Sequence, residues 1–345
     1  MGIMLVAELI APRQFRLVEQ EMEDLRPGEV RVRVNAVGIC GSDLHSYSEG
    51  AVGDTDCVYP MVLGHEPAGT VVAAGPGVTG WAPGDRAALE PALYCYHCEY
   101  CRSGRSNICE NIQFLSTPAK PGFFREFVDL PAANLLGIPK DMPMQLAALV
   151  EPLAVALHSM QFAAIGIGET AAVFGAGPIG LLTVACLRAA GASRIWVVEP
   201  VAHRREMAKR MGAAEAIHPG EIDAARQILA DTGNRGVDCA IDCAAREHTT
   251  NWAIRCVRNG GRVVLTGIHS GTMVPFEVSP MRRKELAIFN VRRSNREPEA
   301  ALELLTARTG WFAPLVTHTR PLERIAEAFR IAEEYADGVG KLVIE

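Results

Sequence analysis

The sequence predicts an α/β protein of two parts, and three observations support this prediction. The chain has 345 residues, 49% of them hydrophobic, which is enough for more than one packed core. Up to about residue 150 the sequence has the pattern of short strands separated by turns, and it contains most of the Cys residues. After Glu151 and Pro152, strands and helices alternate, which predicts a doubly wound parallel sheet with helices on both faces.

The individual elements follow from local patterns. Residues 29–37 alternate polar and apolar side chains, as in a half-buried strand, and 70–74 form a second strand followed by turn residues. In the second part we expect helices at 154–164, 179–190 and 203–211 and strands at 171–174, 194–198, 238–242 and 261–266. Near the end, Pro321 is expected to begin a helix that places Leu322, Ile325, Ala326 and Phe329 on one face, and 341–345 form a last strand.

Charge and composition exclude some classes of partner. The chain has 34 Lys and Arg against 40 Asp and Glu, a net charge of −6, so a nucleic-acid partner is not expected. The apolar start is interrupted by Glu8 and has no basic lead-in, unlike a secretory signal. The uncharged stretch 170–187 is long enough for a membrane span, but its Gly and Pro residues favour a strand, a turn and a helix. We therefore expect a soluble, cytoplasmic protein without a membrane partner.

A glycine-rich turn, residues 175–180, has the sequence Gly-Ala-Gly-Pro-Ile-Gly. By itself the pattern is weak, but here it lies between a predicted strand and helix, and a second strand ends at Glu199. Such glycines let the backbone approach a pyrophosphate at the helix N-terminus. A carboxylate at Glu199 can accept ribose hydroxyls and would repel a 2′-phosphate, which favours NAD over NADP, although Arg204 and Arg205 are near it in sequence.

Four cysteines, Cys95, Cys98, Cys101 and Cys109, lie within one short segment. In a reducing compartment this spacing favours metal ligands over disulfides. Four thiolates fit a structural zinc. An iron–sulfur cluster is the alternative, but its pattern requires an earlier fourth cysteine followed by Pro, whereas Glu110 follows Cys109.

Other potential metal ligands are dispersed along the first part of the chain. They are Cys40, His65, Glu66 and Glu151, with Ser42 and His45 close to the first of them. Thiolate, imidazole and carboxylate together form the mixed ligand set of a catalytic zinc with an open position. Spacing alone does not show that these residues converge.

The chain resembles the zinc-dependent medium-chain alcohol dehydrogenases over nearly its whole length. It has their motifs in the same order: residues 40–45, residues 64–66, the four-cysteine segment and the glycine turn. Within that family it looks most like the sorbitol (polyol) and 2,3-butanediol dehydrogenases. The resemblance implies a GroES-like, mostly-β catalytic domain, 1–153 with 290–345, that carries the structural zinc lobe 95–109. It also implies a Rossmann NAD-binding domain, 154–289, and an active site in the cleft.

The resemblance also assigns roles. Two zinc ions are implied: a structural zinc on the four cysteines, and a catalytic zinc held by Cys40, His65, Glu66 and Glu151, the last directly or through water. Ser42 and His45 match a proton relay. The residues that match cofactor contacts are Gly175, Gly177, Pro178, Ile179, Gly180, Glu199, Arg204, Thr266, Gly267, Ile268, Val291 and Arg292. Those that match substrate contacts are Ser42, Phe114, Thr117, Glu151 and Arg292.

Two departures from the polyol dehydrogenases affect the substrate. Ser46 and Arg293 stand where such enzymes often have Tyr. Arg293 either favours a sugar acid or phosphorylated polyol over a neutral one, or points to solvent.

The function expected is oxidation of a secondary alcohol of a polyol-like small molecule to a ketone, with NAD as hydride acceptor, by a homotetramer or homodimer. One alternative is a threonine dehydrogenase-like or simple alcohol dehydrogenase, although the former usually has Thr at the position of Ser42. Another is a non-catalytic NAD-binding protein that kept the fold, which the intact set of site residues argues against. A zinc-free quinone reductase is disfavoured because it lacks the four-cysteine lobe.

Overall fold

The computed structural model of the chain describes residues 2–246 and 248–345. The strands of the described residues are β1 Ile3–Ala11, β2 Gln14–Glu21, β3 Glu29–Gly38, β4 Ala51–Val52, β5 Thr55–Asp56, β6 Glu66–Ala74, β7 Arg86–Leu89, β8 Ala92–Leu93, β9 Gln113–Phe114, β10 Phe127–Pro131, β11 Leu135–Gly137, β12 Thr170–Phe174, β13 Arg194–Val198, β14 Glu215–Ile217, β15 Val237–Asp242, β16 Val257–Leu265, β17 Ala287–Asn290, β18 Val316–Arg320 and β19 Lys341–Ile344. The helices are α1 Gly41–Ser48, α2 Glu99–Arg102, α3 Met144–Ala147, α4 Val150–Ala163, α5 Pro178–Ala189, α6 Ala202–Met211, α7 Ala224–Asp231, α8 Thr249–Cys256, α9 Val278–Lys284, α10 Pro298–Ala307, α11 Thr309–Phe312 and α12 Ile325–Glu333.

The chain divides into two compact units. One extends to Glu151 and resumes at Pro298–Glu345, and the other is Pro152–Glu297. The functional domains expected from the sequence, 1–153 with 290–345 and 154–289, remain a prediction.

The first unit is built on a sheet with the strand order β11-β7-β6-β3-β19-β18, in which β10 also pairs with β3. The strands β6, β10 and β19 all run antiparallel to β3. Alternate residues of β3, such as Val30 and Val32, are fully buried, which confirms the expected half-buried strand. The core beneath them includes Phe123, Phe124 and Phe329.

The C-terminal helix differs from the expectation. Pro321 precedes a 3₁₀ turn over Leu322–Arg324, and α12 begins at Ile325. A 3₁₀ turn has three residues per turn rather than 3.6, so it changes the phase of the helix that follows. Leu322, Ile325 and Phe329 are buried as expected, but Ala326 is exposed and Ala328 takes its place in the core.

The second unit contains the expected parallel sheet, with the strand order β14-β13-β12-β15-β16-β17. Because all six strands are parallel, the segments that follow their carboxyl ends lie along one edge, where doubly wound sheets bind ligands. The uncharged stretch 170–187 forms β12, the glycine turn and α5, which begins with Pro178 and Ile179. Each strand and helix expected between 154 and 266 is present, with bounds shifted by a few residues.

One helical stretch, Met144–Ala163, is long and apolar enough to cross a membrane by length and composition. Its most apolar window is 67% buried inside the protein. This burial is what a core helix shows, and the stretch is weak support for a membrane span.

Asp238 organises the start of the parallel sheet in the second unit. This buried carboxylate accepts hydrogen bonds from Arg235 Nη2 (2.6 Å), Arg258 Nε (2.7 Å) and both the backbone N–H and hydroxyl of Thr170 (2.9 Å each). Burial raises the pKa of Asp238, but the hydrogen bonds from Arg235, Thr170 and Arg258 lower it by more, so the net shift is downward. The ionised form is therefore favoured in the folded protein.

We expect Asp238→Asn to lower the free energy of unfolding by about 2–3 kcal/mol near neutral pH. Folding depresses the pKa of this carboxyl, so the carboxylate stabilises the folded protein fully at pH values above its pKa in the unfolded chain, about 3.9. The stabilisation is lost as the pH falls through the lower pKa of the folded protein. The deficit of the variant should thus be constant from pH 8 to pH 5 and shrink below about pH 4 in urea unfolding curves. Glu206→Gln, which removes an exposed ion pair with Lys209, is the control and should change little. If the stability difference between Asp238→Asn and the wild type grew in acid, the depressed pKa of Asp238 would be contradicted.

Candidate active site

The four-cysteine segment folds into a closed cluster of sulfur atoms. The Sγ atom of Cys95 lies 3.5 Å from that of Cys109 and 4.0 Å from that of Cys101, and Cys98 is 3.9 Å from Cys109. Four sulfurs bound to zinc at about 2.3 Å lie about 3.8 Å apart, whereas a disulfide requires about 2.05 Å. The backbone N–H of His97 lowers the pKa of Cys95 to about 5. Burial raises the pKa of Cys101 to about 12, so it is the spacing of the sulfur atoms that fits a tetrahedral zinc.

Strand pairing brings the dispersed ligands together. In the β3–β6 ladder Gly38 is paired with Glu66, so Cys40, two residues beyond Gly38, comes close to His65. The ligand atoms of Cys40, His65 and Glu66 all lie within 4.8 Å of one another. The fold therefore brings these three residues together, and their positions in the sequence could not show this proximity.

Asp43 organises this cluster from the first turn of α1. It is buried, its Oδ2 accepts the backbone N–H of Cys40 (3.1 Å), and its Oδ1 accepts that of Gly64 (3.2 Å). The same Oδ1 lies 3.3 Å from His65 Nδ1. Since Asp43 faces Nδ1, the other ring nitrogen of His65 is directed to the ligand cluster, as in the carboxylate–histidine pairs of metal sites.

Glu66 is fully buried and has one oxygen suited to a metal ion. Its Oε2 forms an ion pair with the buried Lys341. Within residues 2–246 and 248–345, its Oε1 has no hydrogen-bond partner. A buried carboxylate oxygen without a partner is costly, and coordination to a cation would satisfy it.

The charges around the cluster also favour a cation. Burial lowers the pKa of His65, but the negative charges of Asp43 and Cys40 raise it by more, so the net shift is well upward. Burial raises the pKa of the half-buried Glu151 to about 8, and the charge of Glu66 adds to the rise. The raised pKa of His65 indicates surroundings that stabilise positive charge, so the residues present fit a divalent metal ion.

Glu151 is not one of the three residues whose ligand atoms converge, although it interacts electrostatically with His65 and Glu66. Sequence reasoning did not distinguish Glu66 from Glu151 as the direct ligand. The geometry favours Glu66, with Glu151 beside the cluster.

The two relay candidates lie on α1. The hydroxyl oxygen of Ser42 is 3.4 Å from His65 Nε2, the ring nitrogen on the side of the ligand cluster. His45 is half-buried, and its Nδ1 lies 3.0 Å from Glu49 Oε1. Across the described part of the chain, no direct hydrogen bond joins Ser42 to His45, so a relay between them needs an intermediate hydroxyl.

The candidate substrate residues of the first unit border the same cluster. The ring of Phe114 lies 5.5 Å from that of His65, and the hydroxyl of Thr117 donates to the backbone carbonyl of Phe114 (2.8 Å). Ser46 is buried in α1, so the larger side chain of a tyrosine would not fit in the space that the serine fills.

In the glycine turn of the second unit, each of the three positions requires glycine for a different reason. Gly175 has φ +91°, which favours glycine, and a Cβ on Gly180 would lie 1.9 Å from the carbonyl oxygen of Gly175. Gly177 has an ordinary φ, −65°, and the atom nearest to a Cβ there would be Arg204 Nη1, 3.9 Å away. Neither conformation nor packing explains Gly177, whereas the close approach of a pyrophosphate would.

Glu199 lies at the end of β13 beside this turn. Its carboxylate accepts the backbone N–H groups of Ala176 (2.7 Å) and Val201 (2.8 Å), and each oxygen can accept a further hydrogen bond. Arg205 donates to the carbonyl oxygens of Glu199 (2.9 Å) and Pro200 (2.7 Å). This Arg205 nitrogen is bound to the backbone, and the Glu199 carboxylate lies at the glycine turn, as in an NAD site.

The loops after β16 and β17 are the remaining candidates for the cofactor. The backbone N–H groups of Thr266 and Gly267 both donate to the carbonyl oxygen of Asp242 (2.9 Å), and the Thr266 hydroxyl is 3.0 Å from that of Ser159. Ile268 is 48% exposed, so it is available to a ligand. Sequence reasoning missed Asp242 and Ser159, which hold this loop.

After β17, the backbone N–H of Val291 donates to the Leu265 carbonyl (2.9 Å), which places it at the same sheet edge. Arg292 is exposed, whereas Arg293 is half-buried with its Nη1 atom shielded from water. Arg293 therefore does not simply extend into solvent.

Comparison with known proteins gives matches over most of the chain. The alcohol dehydrogenase GroES-like domain matches residues 26–140, and the zinc-binding dehydrogenase family matches 178–307. Sorbitol dehydrogenase of Bacillus subtilis (strain 168) is 34% identical over 332 residues, 96% of this chain and 94% of that protein. The chain belongs to the zinc-dependent medium-chain dehydrogenases.

Two further members of this family illustrate the match. L-arabinitol 4-dehydrogenase of Hypocrea jecorina is 35% identical, over 93% of this chain and 86% of that protein. The crystal structure of 2R,3R-butanediol dehydrogenase from Bacillus subtilis superposes with a TM-score of 0.88 at 29% identity, covering 99% of both chains.

Family membership confirms the expected fold class, a GroES-like domain with a Rossmann-type parallel sheet. It also confirms the enzyme class: this medium-chain dehydrogenase uses zinc and NAD. The alternative of a non-catalytic NAD-binding protein is therefore set aside.

Two further residues of this dehydrogenase site, at the metal cluster, were not predicted from its sequence. Asp43 lies three residues after Cys40 at a helix start, a spacing typical of N-terminal capping that could have indicated it. Lys341 had no local signal, because a lysine in a short terminal strand is normally exposed.

Proposed function

We propose that this enzyme oxidises a secondary hydroxyl of a neutral polyol to a ketone and transfers the hydride to NAD. The observation that carries the proposal is the convergence of Cys40, His65 and Glu66 within 4.8 Å, one thiol, one imidazole and one carboxylate. Relatives named for sorbitol and arabinitol support the polyol class.

In this proposal Cys40, His65 and Glu66 hold the catalytic zinc, with Glu151 as a further carboxylate that acts directly or through water. Cys95, Cys98, Cys101 and Cys109 hold a structural zinc. When bound, the catalytic ion supplies a Lewis acid that polarises the substrate hydroxyl. Asp43 fixes the orientation of His65, and Lys341 balances the charge of Glu66.

Ser42 and His45 move the proton. Ser42 is next to His65 Nε2, so its hydroxyl is placed to accept the proton of an alcohol bound at the cluster. A bound cofactor would supply a ribose hydroxyl that links Ser42 to His45, which holds the proton at the outer end. A histidine exchanges protons with solvent near neutral pH, which suits the outer end of the relay.

The second unit binds the dinucleotide. Gly175, Gly177, Pro178, Ile179 and Gly180 hold the pyrophosphate at the start of α5, and Glu199 binds the adenosine ribose with Arg204 beside it. The loop Thr266, Gly267 and Ile268, with Val291 and Arg292, supports the nicotinamide. When bound, the nicotinamide would supply the acceptor for the hydride of the carbinol carbon.

Substrate selection involves Phe114, Thr117 and Arg292, with Ser42 and Glu151 at the reacting hydroxyl. The departures at Ser46 and Arg293 make a sugar acid or phosphorylated polyol the second candidate, since Arg293 is half-buried and adds positive charge. A threonine-type or simple alcohol substrate is a further alternative. We also propose a cytoplasmic location, a homodimer or homotetramer, and domains at 1–153 with 290–345 and 154–289.

The experiment that tests this function is a substrate panel read by NADH formation. Neutral polyols, sugar acids, phosphorylated polyols, threonine and simple alcohols are compared at equal concentration. Polyols should give the highest kcat/KM. Preference for an acid or phosphate would shift the proposal to the charged class, and no turnover of any hydroxyl compound would overturn it.

Ser42→Ala is expected to lower kcat by about 10²–10³-fold, because a positioned proton-transfer group contributes about this much. Binding of NAD, measured by fluorescence titration, should stay within about twofold, since Ser42 is not in the dinucleotide unit. Ser48→Ala on the same helix is the control. An unchanged kcat would remove Ser42 from the relay.

Glu199→Ala is expected to weaken NAD by about 10-fold or more and NADP by less, because the carboxylate binds the ribose diol and repels a 2′-phosphate. The measurement is kcat/KM with each dinucleotide. Arg205→Lys serves as the control for the neighbouring backbone contacts. A wild-type enzyme that already prefers NADP would contradict the assignment.

A further inference from the structure

A short turn beside the metal cluster contains a residue in an unusual conformation. Ser116 has φ +79°, in the left-handed region that non-glycine residues seldom adopt. It lies between Phe114 and Thr117, and the turn is closed by hydrogen bonds from the backbone N–H groups of Ser116 and Thr117 to Lys120 O (3.0 and 3.1 Å). Such backbone strain persists where other contacts hold the residue in place.

The contact that holds Ser116 is a hydrogen bond to the carboxylate behind the metal cluster. The Ser116 hydroxyl donates to Asp43 Oδ1 at 3.2 Å. This oxygen also accepts the Gly64 N–H and lies 3.3 Å from His65 Nδ1, while Oδ2 accepts the Cys40 N–H. Asp43 therefore joins Ser116 to two of the three converging ligands.

The turn also contacts the same histidine through its first residue. The Phe114 ring lies 5.5 Å from the His65 ring, at an interplanar angle of 56°. The Thr117 hydroxyl donates to the Phe114 carbonyl (2.8 Å), so the two candidate substrate residues are linked. Direct ring contact at one point and the Ser116–Asp43 bond at another fix the turn against the cluster.

We infer that Ser116 is a positioning residue, which holds the turn carrying Phe114 and Thr117 at a set distance from His65 and so determines how well a polyol fits. This inference rests on the proposed function. The Ser116 hydroxyl donates to a buried carboxylate, and loss of this hydrogen bond would release both the turn and one partner of Asp43. The effect should therefore appear in substrate affinity and in metal retention, rather than in the dinucleotide site.

The test uses Ser116→Gly and Ser116→Asn in the zinc-loaded enzyme. Glycine removes the hydroxyl but also relieves the left-handed strain, so these two opposing effects should leave the melting temperature close to that of the wild type. Asparagine tolerates the left-handed conformation and supplies an N–H donor that can reach Asp43. Asp337→Gly is the matched control, because Asp337 is exposed in the same unit with φ +54°.

For Ser116→Gly we expect KM for the preferred polyol to rise by about 10-fold or more, with kcat and the KM for NAD changed less than about threefold. Zinc release to a chelator should become several-fold faster, less than the roughly 10–100-fold found when a direct partner of a metal ligand is removed, because Ser116 acts through Asp43. Ser116→Asn should recover a large part of both effects, and Asp337→Gly should match the wild type.

The outcomes separate this inference from the proposed function. A wild-type enzyme that oxidises polyols while Ser116→Gly keeps its polyol KM would overturn the role of Ser116. Equal losses of affinity for polyol and NAD would also overturn it. If the wild type oxidises no polyol, the proposed function fails, and the zinc-release rate alone decides whether Ser116 supports the metal histidine.

Discussion

His65→Ala is expected to reduce kcat/KM by about 10³–10⁵-fold, because the imidazole is one of the three converging donors and Lewis-acid catalysis is worth several kcal/mol. Cys40 and Glu66 would remain as donors without the nitrogen that Asp43 orients. The variant should also retain one zinc per chain, held by the four-cysteine cluster, instead of two. Activity with the preferred polyol and zinc content by atomic absorption are the two measurements.

His318→Ala is the control for loss of an imidazole, because His318 lies on β18 and its Nδ1 contacts the Thr317 hydroxyl. It should keep both zinc ions and nearly full activity. If His65→Ala kept two zinc ions, or lost little activity, the catalytic metal would have to be placed elsewhere.

Lys341→Met is expected to lower the free energy of unfolding by about 3–5 kcal/mol, because it leaves the buried Glu66 carboxylate without its ion-pair partner. Lys341 is 1% exposed and also donates to the Ile39 carbonyl (2.9 Å). The strand geometry makes room for the pair at Gly38, where a Cβ would lie 2.0 Å from Glu66 Oε2 and 2.7 Å from Lys341 Cε. Urea unfolding at neutral pH measures the effect.

The double variant Glu66→Gln/Lys341→Met tests the cause. Replacing both charges removes the unpaired buried carboxylate, so the double variant should be more stable than Lys341→Met alone. Its activity should nevertheless remain low, because glutamine is a poorer zinc ligand than glutamate. A double variant no more stable than Lys341→Met would show that the loss comes from packing and not from charge.

Features encoded by nearby residues were predictable from the sequence. The cysteines at 95–109 form a sulfur cluster of the expected size because their spacing is set within one loop. The strand–turn–helix at 170–189 and the placement of Glu199 beside the turn also follow from short-range pattern. The C-terminal helix shows the limit of such reasoning, since one 3₁₀ turn changed which alanine is buried.

The sequence alone therefore determined the fold class, the structural zinc lobe and the dinucleotide turn, all of which depend on residues close together in the chain. Only the tertiary structure decided which carboxylate joins Cys40 and His65, because that depends on the pairing of Gly38 with Glu66 between β3 and β6. It also decided that Lys341, from the last strand, neutralises Glu66. Such contacts arise from strand register between distant segments, and residue identity carries little information about register until the sheet is assembled.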